Sequence, residues 1–284
     1  MASQLLQQAL NVIKQYNIRL TVRQVYYRLV AAGVIKNTRS SYNSLDKILV
    51  KARIKGIIPF DKLEDRSREF LCGDHNFETP EDFMAWRIEA LKDSALEYEV
   101  PYWHFQPEHV EVWLEKDALS ALFGQVCRRQ HVILAPCRGY PSLTYLHEAA
   151  QRLRKVDKPI TILYFGDLDP RGKDIQRYLT ETLQSFGVSA NVQRIALTRQ
   201  QVEAYSLPPA PTKKGDKMAR KWIETQGDMV WELDALEPDL LMQLVEESIL
   251  QHLDKEAFEK RNELQKQNRE KINKIVEKLF QEEF

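Results

Sequence analysis

Apolar and polar positions alternate with one period at the start of this chain and with another further on. Over the first 55 residues apolar side chains recur every three or four positions, the helical spacing. Leu5, Leu6, Ala9, Val12 and Ile13 predict a helix over 4–16. A second helix follows Thr21, with Gln24 placed to complete a capping box, and stops at Gly33. A third, over 39–55, gathers Tyr42, Leu45, Ile48, Leu49 and Ala52 on one face, turns Lys47, Lys51 and Lys55 outward and ends at Gly56. Ile57, Ile58, Pro59 and Phe60 then read as the start of a β-wing. Residues 1–70 therefore fit a winged helix-turn-helix domain, or else a small helical bundle with a solvated lysine face.

Residues 71–105 read as a connector that carries one helix around Trp86, between Pro80 and Pro101. From 106 to 236 the period shortens. β-prone runs at 110–114, 131–135, 159–165 and 190–196 alternate with helical patterns at 118–129, 142–154 and 172–186. That alternation predicts an α/β domain, Rossmann-like, with a mostly parallel sheet and helices on both faces. The proline-rich stretch 207–215 reads as a loop, 229–233 as a further strand, and 237–284 as a polar helical tail.

Composition and charge narrow the class. With 284 residues, 43% apolar and 29% charged, the chain can bury a core without staples and is far from disordered composition. No apolar run approaches the roughly 18 residues of a membrane span, and the first residues lack a signal-peptide pattern. Three cysteines, Cys72, Cys127 and Cys137, cannot all pair, so a reducing cytoplasm, with the protein at the nucleoid, is the expectation. The net charge of zero argues against a histone-like binder. Its distribution is uneven, because residues 1–55 hold ten basic residues against one acidic, Asp46, which leaves −9 for the remainder. The basic module suits a polyanion; the acidic one has carboxylates for a metal or for solvated helices.

The chemical signal lies at strand ends. The run 160–165 passes into Gly166-Asp167-Leu168-Asp169-Pro170-Arg171-Gly172, and 110–114 ends in Glu115-Lys116. In open α/β sheets ligands bind beyond the carboxyl ends of strands. Three carboxylates gathered there repel one another unless a hard divalent cation such as Mg²⁺ sits among them. The alternative is that Asp167 and Asp169 cap the next helix while Glu115 is solvated. A phosphate loop does not fit, because five residues separate Gly166 from Gly172 and Asp174 replaces the required Ser or Thr. Pro170 speaks against a dehalogenase-type phosphatase, and no histidine is spaced for zinc.

Glu115, Asp167-Leu168-Asp169 and the intervening Cys137-Arg-Gly-Tyr-Pro-Ser142 resemble a Toprim domain, in the version found in the A subunit of type IIB topoisomerases and in meiotic double-strand-break transesterases. Thr21-Val-Arg-Gln-Val-Tyr-Tyr-Arg28 is similar to the Arg-Asp-x-Tyr/Phe-Tyr motif of the winged helix that precedes Toprim in those proteins, with Gln24 where they commonly have Asp. Trp231-Glu-Leu-Asp-Ala-Leu236 is shared with bacterial and mobile-element proteins of this kind. The resemblance covers about residues 20–240 and rests on these short motifs.

The resemblance implies a Toprim domain over 106–236 and a nucleophilic tyrosine. On the second helix Val22, Val25, Tyr26, Leu29 and Val30 form one apolar stripe, which makes Tyr26 a core residue. Tyr27 points away from it, one turn from Arg23. By the resemblance Tyr27, aided by Arg23, attacks a phosphate of double-stranded DNA and forms a 5′-phosphotyrosyl link. Mg²⁺ is then held by Glu115, Asp167 and Asp169, and a homodimer pairs the tyrosine of one protomer with the metal of the other. A separate ATPase subunit would drive any strand passage, since no ATPase motif is recognisable here. Arg39, Lys47, Lys51 and Lys55 are expected to contact phosphates, with Lys213, Lys214 and Lys217 as the other track. The competing readings are a hydrolytic Toprim nuclease, a non-catalytic DNA-binding subunit, and Tyr27 as an exposed aromatic on a DNA-contacting helix.

Overall fold

A computed structural model of the chain describes residues 2–16, 19–63, 77–212 and 218–281. It divides into two compact units, one made of residues 1–67 and 108–252, the other of 68–107 and 253–284.

The first unit opens with three mutually packed helices, α1 (Ala2–Lys14), α2 (Val22–Ala31) and α3 (Arg39–Ile54). Their shared core is Ala9, Ile13, Val25, Leu29, Leu45, Leu49 and Ala52. The capping box at the start of α2 forms as its sequence predicts. Gln24 N–H donates to Thr21 Oγ1 at 3.2 Å, and Thr21 N–H donates to Gln24 Oε1 at 2.7 Å. The expected extended wing is replaced, up to Leu63, by a short 3₁₀ turn at Phe60–Lys62 and a single bridge between Leu63 and Leu20. Pro59, which has no N–H to give to a ladder, precedes that turn. Cys72 and the Lys213, Lys214 and Lys217 track lie outside the described residues.

Helix α4 (Pro80–Glu97) belongs to the second unit, and the chain then returns to the first as β1 (His109–Leu114), α5 (Ser120–Arg129), β2 (Ile133–Pro136), α6 (Leu143–Leu153), β3 (Ile160–Phe165), α7 (Pro170–Ser185) and β4 (Ala190–Ala196). These four strands pair in parallel, in the order β2-β1-β3-β4. This is the mixed α/β architecture that the alternating periods predict. Six consecutive buried residues in β3 mark a strand covered on both faces. On one face α6 and α7 bury Trp113, Leu146, Leu153, Ile162, Tyr164, Ile175 and Leu179. Toward the other, Phe123 of α5 stands edge-on to Phe165 at 4.9 Å, and α10 (Pro238–Leu250) packs on α5. Before α10 come α8 (Arg199–Ala204), the short antiparallel pair β5 (Ala210–Pro211) and β6 (Met229–Val230), and α9 (Ala219–Gln226) between them. From β1 the chain moves outward to β2 on one side, whereas β3 and β4 lie on the other. The C-terminal ends of β1 and β3 therefore flank the switch point at which such sheets bind ligands.

The second unit is a helical hairpin of α4 and α11 (Lys255–Gln281), so the stretches read as a connector and a tail meet. Arg269 and Arg261 donate to the carbonyls of Tyr98 and Val100, at 3.0 and 2.9 Å, and Tyr102 packs on Phe258 at 4.8 Å. Among the described residues no helix is long and apolar enough to cross a membrane.

Candidate functional site

The switch point opens into a crevice of about 250 Å³, lined by Arg23, Lys116, Asp167, Asp169, Thr212 and Glu232 among others. Two strand ends build its floor. Glu115, one residue past β1, is buried, and its Oε2 accepts the Asp167 N–H at 3.0 Å and the Tyr164 hydroxyl at 3.2 Å. Two glycines make room for this carboxylate. A Cβ on Gly166 would stand 2.5 Å from Glu115 Oε2, and one on Gly172 would stand 2.2 Å from the Asp167 carbonyl.

The far wall is the segment after β6. Leu168 and Trp231 exchange backbone hydrogen bonds, which brings Leu233 N–H to Asp167 Oδ1 at 2.8 Å. Glu232 and Asp234 then face Lys116, whose ammonium lies 2.8 and 2.7 Å from them and 3.0 Å from Asp167. Arg23 reaches down from α2 to the same pair, bonding Glu232 and standing 3.2 Å from Asp234 Oδ2. Neither Glu232 nor Asp234 stood out as chemistry in the sequence. Their signal was an acidic residue at every second position of an otherwise apolar run.

The carboxylates feel this crowding differently. Burial first, then the charge of Asp167, pushes Glu115 up to about 7, and burial likewise pushes Asp167 up to about 6 despite Lys116. Glu232, held between Lys116 and Arg23, falls to about 2, those two charges outweighing its desolvation. Lys116 keeps its proton far into alkaline solution because three carboxylates outweigh the cost of burying it. Arg194, on β4, supports the loop from behind. Its guanidinium donates to the carbonyls of Asp167 at 3.1 Å and Gly172 at 2.7 Å and lies over the Tyr164 ring.

The residues singled out from sequence fare unequally. Asp167 and Asp169 line the crevice, with Glu115 buried against the Asp167 backbone rather than solvated, but Asp169 Oδ1 caps α7 through Gly172 N–H at 2.6 Å. Tyr26 is a core residue, its hydroxyl bonded to Asn37 and Thr38. Tyr27 leaves that stripe and shares Arg23's face, yet it is buried too, because the wall carrying Glu232 and Asp234 covers it. Its hydroxyl meets the Glu232 carboxylate and the Arg23 guanidinium. Burial and the two acids push the phenol well above its ordinary range, with Arg23 and Lys116 opposing them. Arg39, Lys47, Lys51 and Lys55 are all exposed, along or beside α3.

The donors suit a hard divalent cation. They are carboxylate oxygens, two of them crowded enough to hold protons near neutrality. Among the described residues no three such side chains stand close enough together to hold an ion as they are placed, and Lys116 supplies the positive charge beside Asp167. The fold and crevice define an α/β protein with a charged site at the switch point of a four-stranded parallel sheet. A scan against protein-family models finds no match for the chain, and a search of curated proteins finds none either.

Proposed function

We propose that the protein cleaves double-stranded DNA by transesterification, with Tyr27 as nucleophile. The observation that carries this reading is that Tyr27 and Arg23, on α2, meet Glu232 in the crevice that Asp167 and Asp169 line, with Glu115 bonded to the backbone of Asp167. Glu115, Asp167 and Asp169 would hold Mg²⁺, which when bound supplies charge to the phosphate and to the departing oxygen. Arg23 offers a guanidinium to the phosphate in place of Glu232, and that exchange frees the Tyr27 hydroxyl. The Tyr27 Oη–P bond forms as the P–O3′ bond breaks, the phenol proton leaving to solvent and the 3′-oxygen gaining one. The exposed cations of α3, Arg39, Lys47, Lys51 and Lys55, fit phosphate contacts that orient the duplex without reading its sequence. In this reading the three N-terminal helices are the winged-helix module, the sheet unit is a Toprim domain, the working form is a homodimer, and any ATP-driven step belongs to a separate subunit.

A second reading drops the tyrosine. The burial of Tyr27 and the hold on its proton favour hydrolysis by water at the same carboxylates. One experiment separates the two. Purified chain is incubated with plasmid DNA and Mg²⁺, stopped with detergent, and the 5′ ends are probed before and after protease. Protein-blocked 5′ ends that vanish in Tyr27→Phe are the expected result. Free 5′ phosphates with cutting retained in Tyr27→Phe would transfer the chemistry to water, and no metal-dependent cutting would end both readings.

A further inference from the structure

We propose that the α4–α11 hairpin is a self-association surface on which a second copy of this chain packs to form an antiparallel four-helix bundle. Helix α4 carries two apolar stripes. Met84, Ile88, Leu91 and Ala95 follow the four-three spacing of a packed seam, and Phe83, Trp86 and Ala90 form a second beside it. A helix apolar on two faces needs two neighbours. Within the hairpin only the C-terminal end of α4 is covered, around Ala95, while Phe83, Met84, Trp86, Ile88 and Leu91 stay 40–54% exposed. Phe77, Phe83 and Trp86 cluster with ring centroids 5.2–6.2 Å apart, the kind of rigid aromatic patch that anchors interfaces. On α11, Ile275 and Leu279 are also at least half exposed.

The area and the charge select a second copy as the occupant. Nine large apolar side chains on and beside the two helices, counting Phe77 and Leu96, are 38–70% exposed. At about 180 Å² for a fully exposed large side chain, they offer up to about 800 Å² per copy, which is what each partner contributes to a standard stable interface. Along α4 five acids (Glu81, Asp82, Glu89, Asp93, Glu97) face two bases, a net of −3. From Lys266 to Lys278, α11 holds five bases against Glu270 and Glu277, a net of +3. In a bundle ordered α4, α11, partner α4, partner α11, every acidic helix lies between two basic ones, and the same contact occurs twice about a two-fold axis. An unrelated partner would have to match both the stripes and this charge pattern, whereas a second copy does so by construction.

The surface rests on the homodimer of the proposed function, and the test uses the full chain and no DNA: a dimer that survives substitution of the hairpin overturns this surface alone, whereas a monomeric chain also removes the homodimer from that reading. Sedimentation equilibrium from 1 to 100 µM is expected to show a dimer, and Trp86→Glu with Leu91→Glu to raise its dissociation constant at least 100-fold while the circular dichroism of the chain is retained. Cross-linking an equal mixture of ¹⁴N- and ¹⁵N-labelled wild-type chains needs no variant, and mixed-label links between Lys92 and Lys274 or Lys278 are expected. A wild-type chain that stays monomeric at 100 µM, a dimer that the double variant leaves intact, or links found only within one label overturns the proposal.

Discussion

Lys116→Met removes one ammonium and strands three carboxylates. The ammonium stands 3.0, 2.8 and 2.7 Å from Asp167, Glu232 and Asp234. At an effective dielectric of about 20 each contact is worth roughly 6 kcal/mol in gross Coulomb energy. Most of that offsets the desolvation of the four groups, and deleting one partner of such a buried set costs about 3–5 kcal/mol net. For a unit of about 200 residues this lowers the melting temperature by roughly 6–20 °C. Lys116 is also a force that lowers Asp167 and Glu115, so without it both carboxyls hold their protons to still higher pH. The deficit should therefore be smaller at pH 5, where Asp167 is protonated and Glu232 remains ionised, than at pH 8, where ionising Asp167 adds to the uncompensated charge. Urea denaturation followed by near-ultraviolet circular dichroism at both pH values measures it. Asp167→Asn in the Lys116→Met background should recover part of the loss. A deficit below 1 kcal/mol, equal at the two pH values, would refute the view that Lys116 is the counter-charge of the crevice.

Glu115, with its folded pKa raised to about 7 from 4.5, contributes stability that is complete below about pH 4.5 and is lost as pH rises through 7, about 3 kcal/mol in all. Glu115→Gln should flatten that part of the pH–stability curve in the metal-free chain, and a curve of unchanged slope counts against the assignment. Gly166→Ala forces a methyl to within 2.5 Å of Glu115 Oε2 and the Tyr164 hydroxyl, so a loss of about 1–3 kcal/mol in thermal unfolding is expected. Lys47→Glu with Lys51→Glu, on the exposed face of α3, should weaken binding to unrelated DNA duplexes alike and flatten the salt dependence by about 0.9 per phosphate contact removed. Unchanged affinity in a fluorescence titration would put the duplex elsewhere.

Much of the framework is local and was therefore readable along the chain. Thr21 and Gln24 lie three residues apart, so their reciprocal cap needs nothing beyond α2 itself. The strand runs and the Asp-x-Asp that follows β3 are likewise contiguous, and the alternation of strand and helix carries the parallel sheet. Periodicity also sorts Tyr26 into the core of the three helices. It says that Tyr27 leaves the apolar stripe of α2, but not what it meets, because the wall that buries it comes from residues 231–234, some two hundred positions away.

Only the tertiary structure decides that β1 and β3 are neighbours, which turns two acidic strand ends into one crevice, and that Glu232, Asp234 and Lys116 complete it. The partnership of α4 with α11 is of the same kind: two stretches about 170 residues apart become one hairpin where Ala95 is covered, Arg261 and Arg269 donate to the carbonyls that follow α4, and Tyr102 packs on Phe258. A local pattern reports what a segment can bury. Which segment it buries against, and hence whether a charge ends beside water, an acid or an ammonium, depends on contacts between residues distant in sequence.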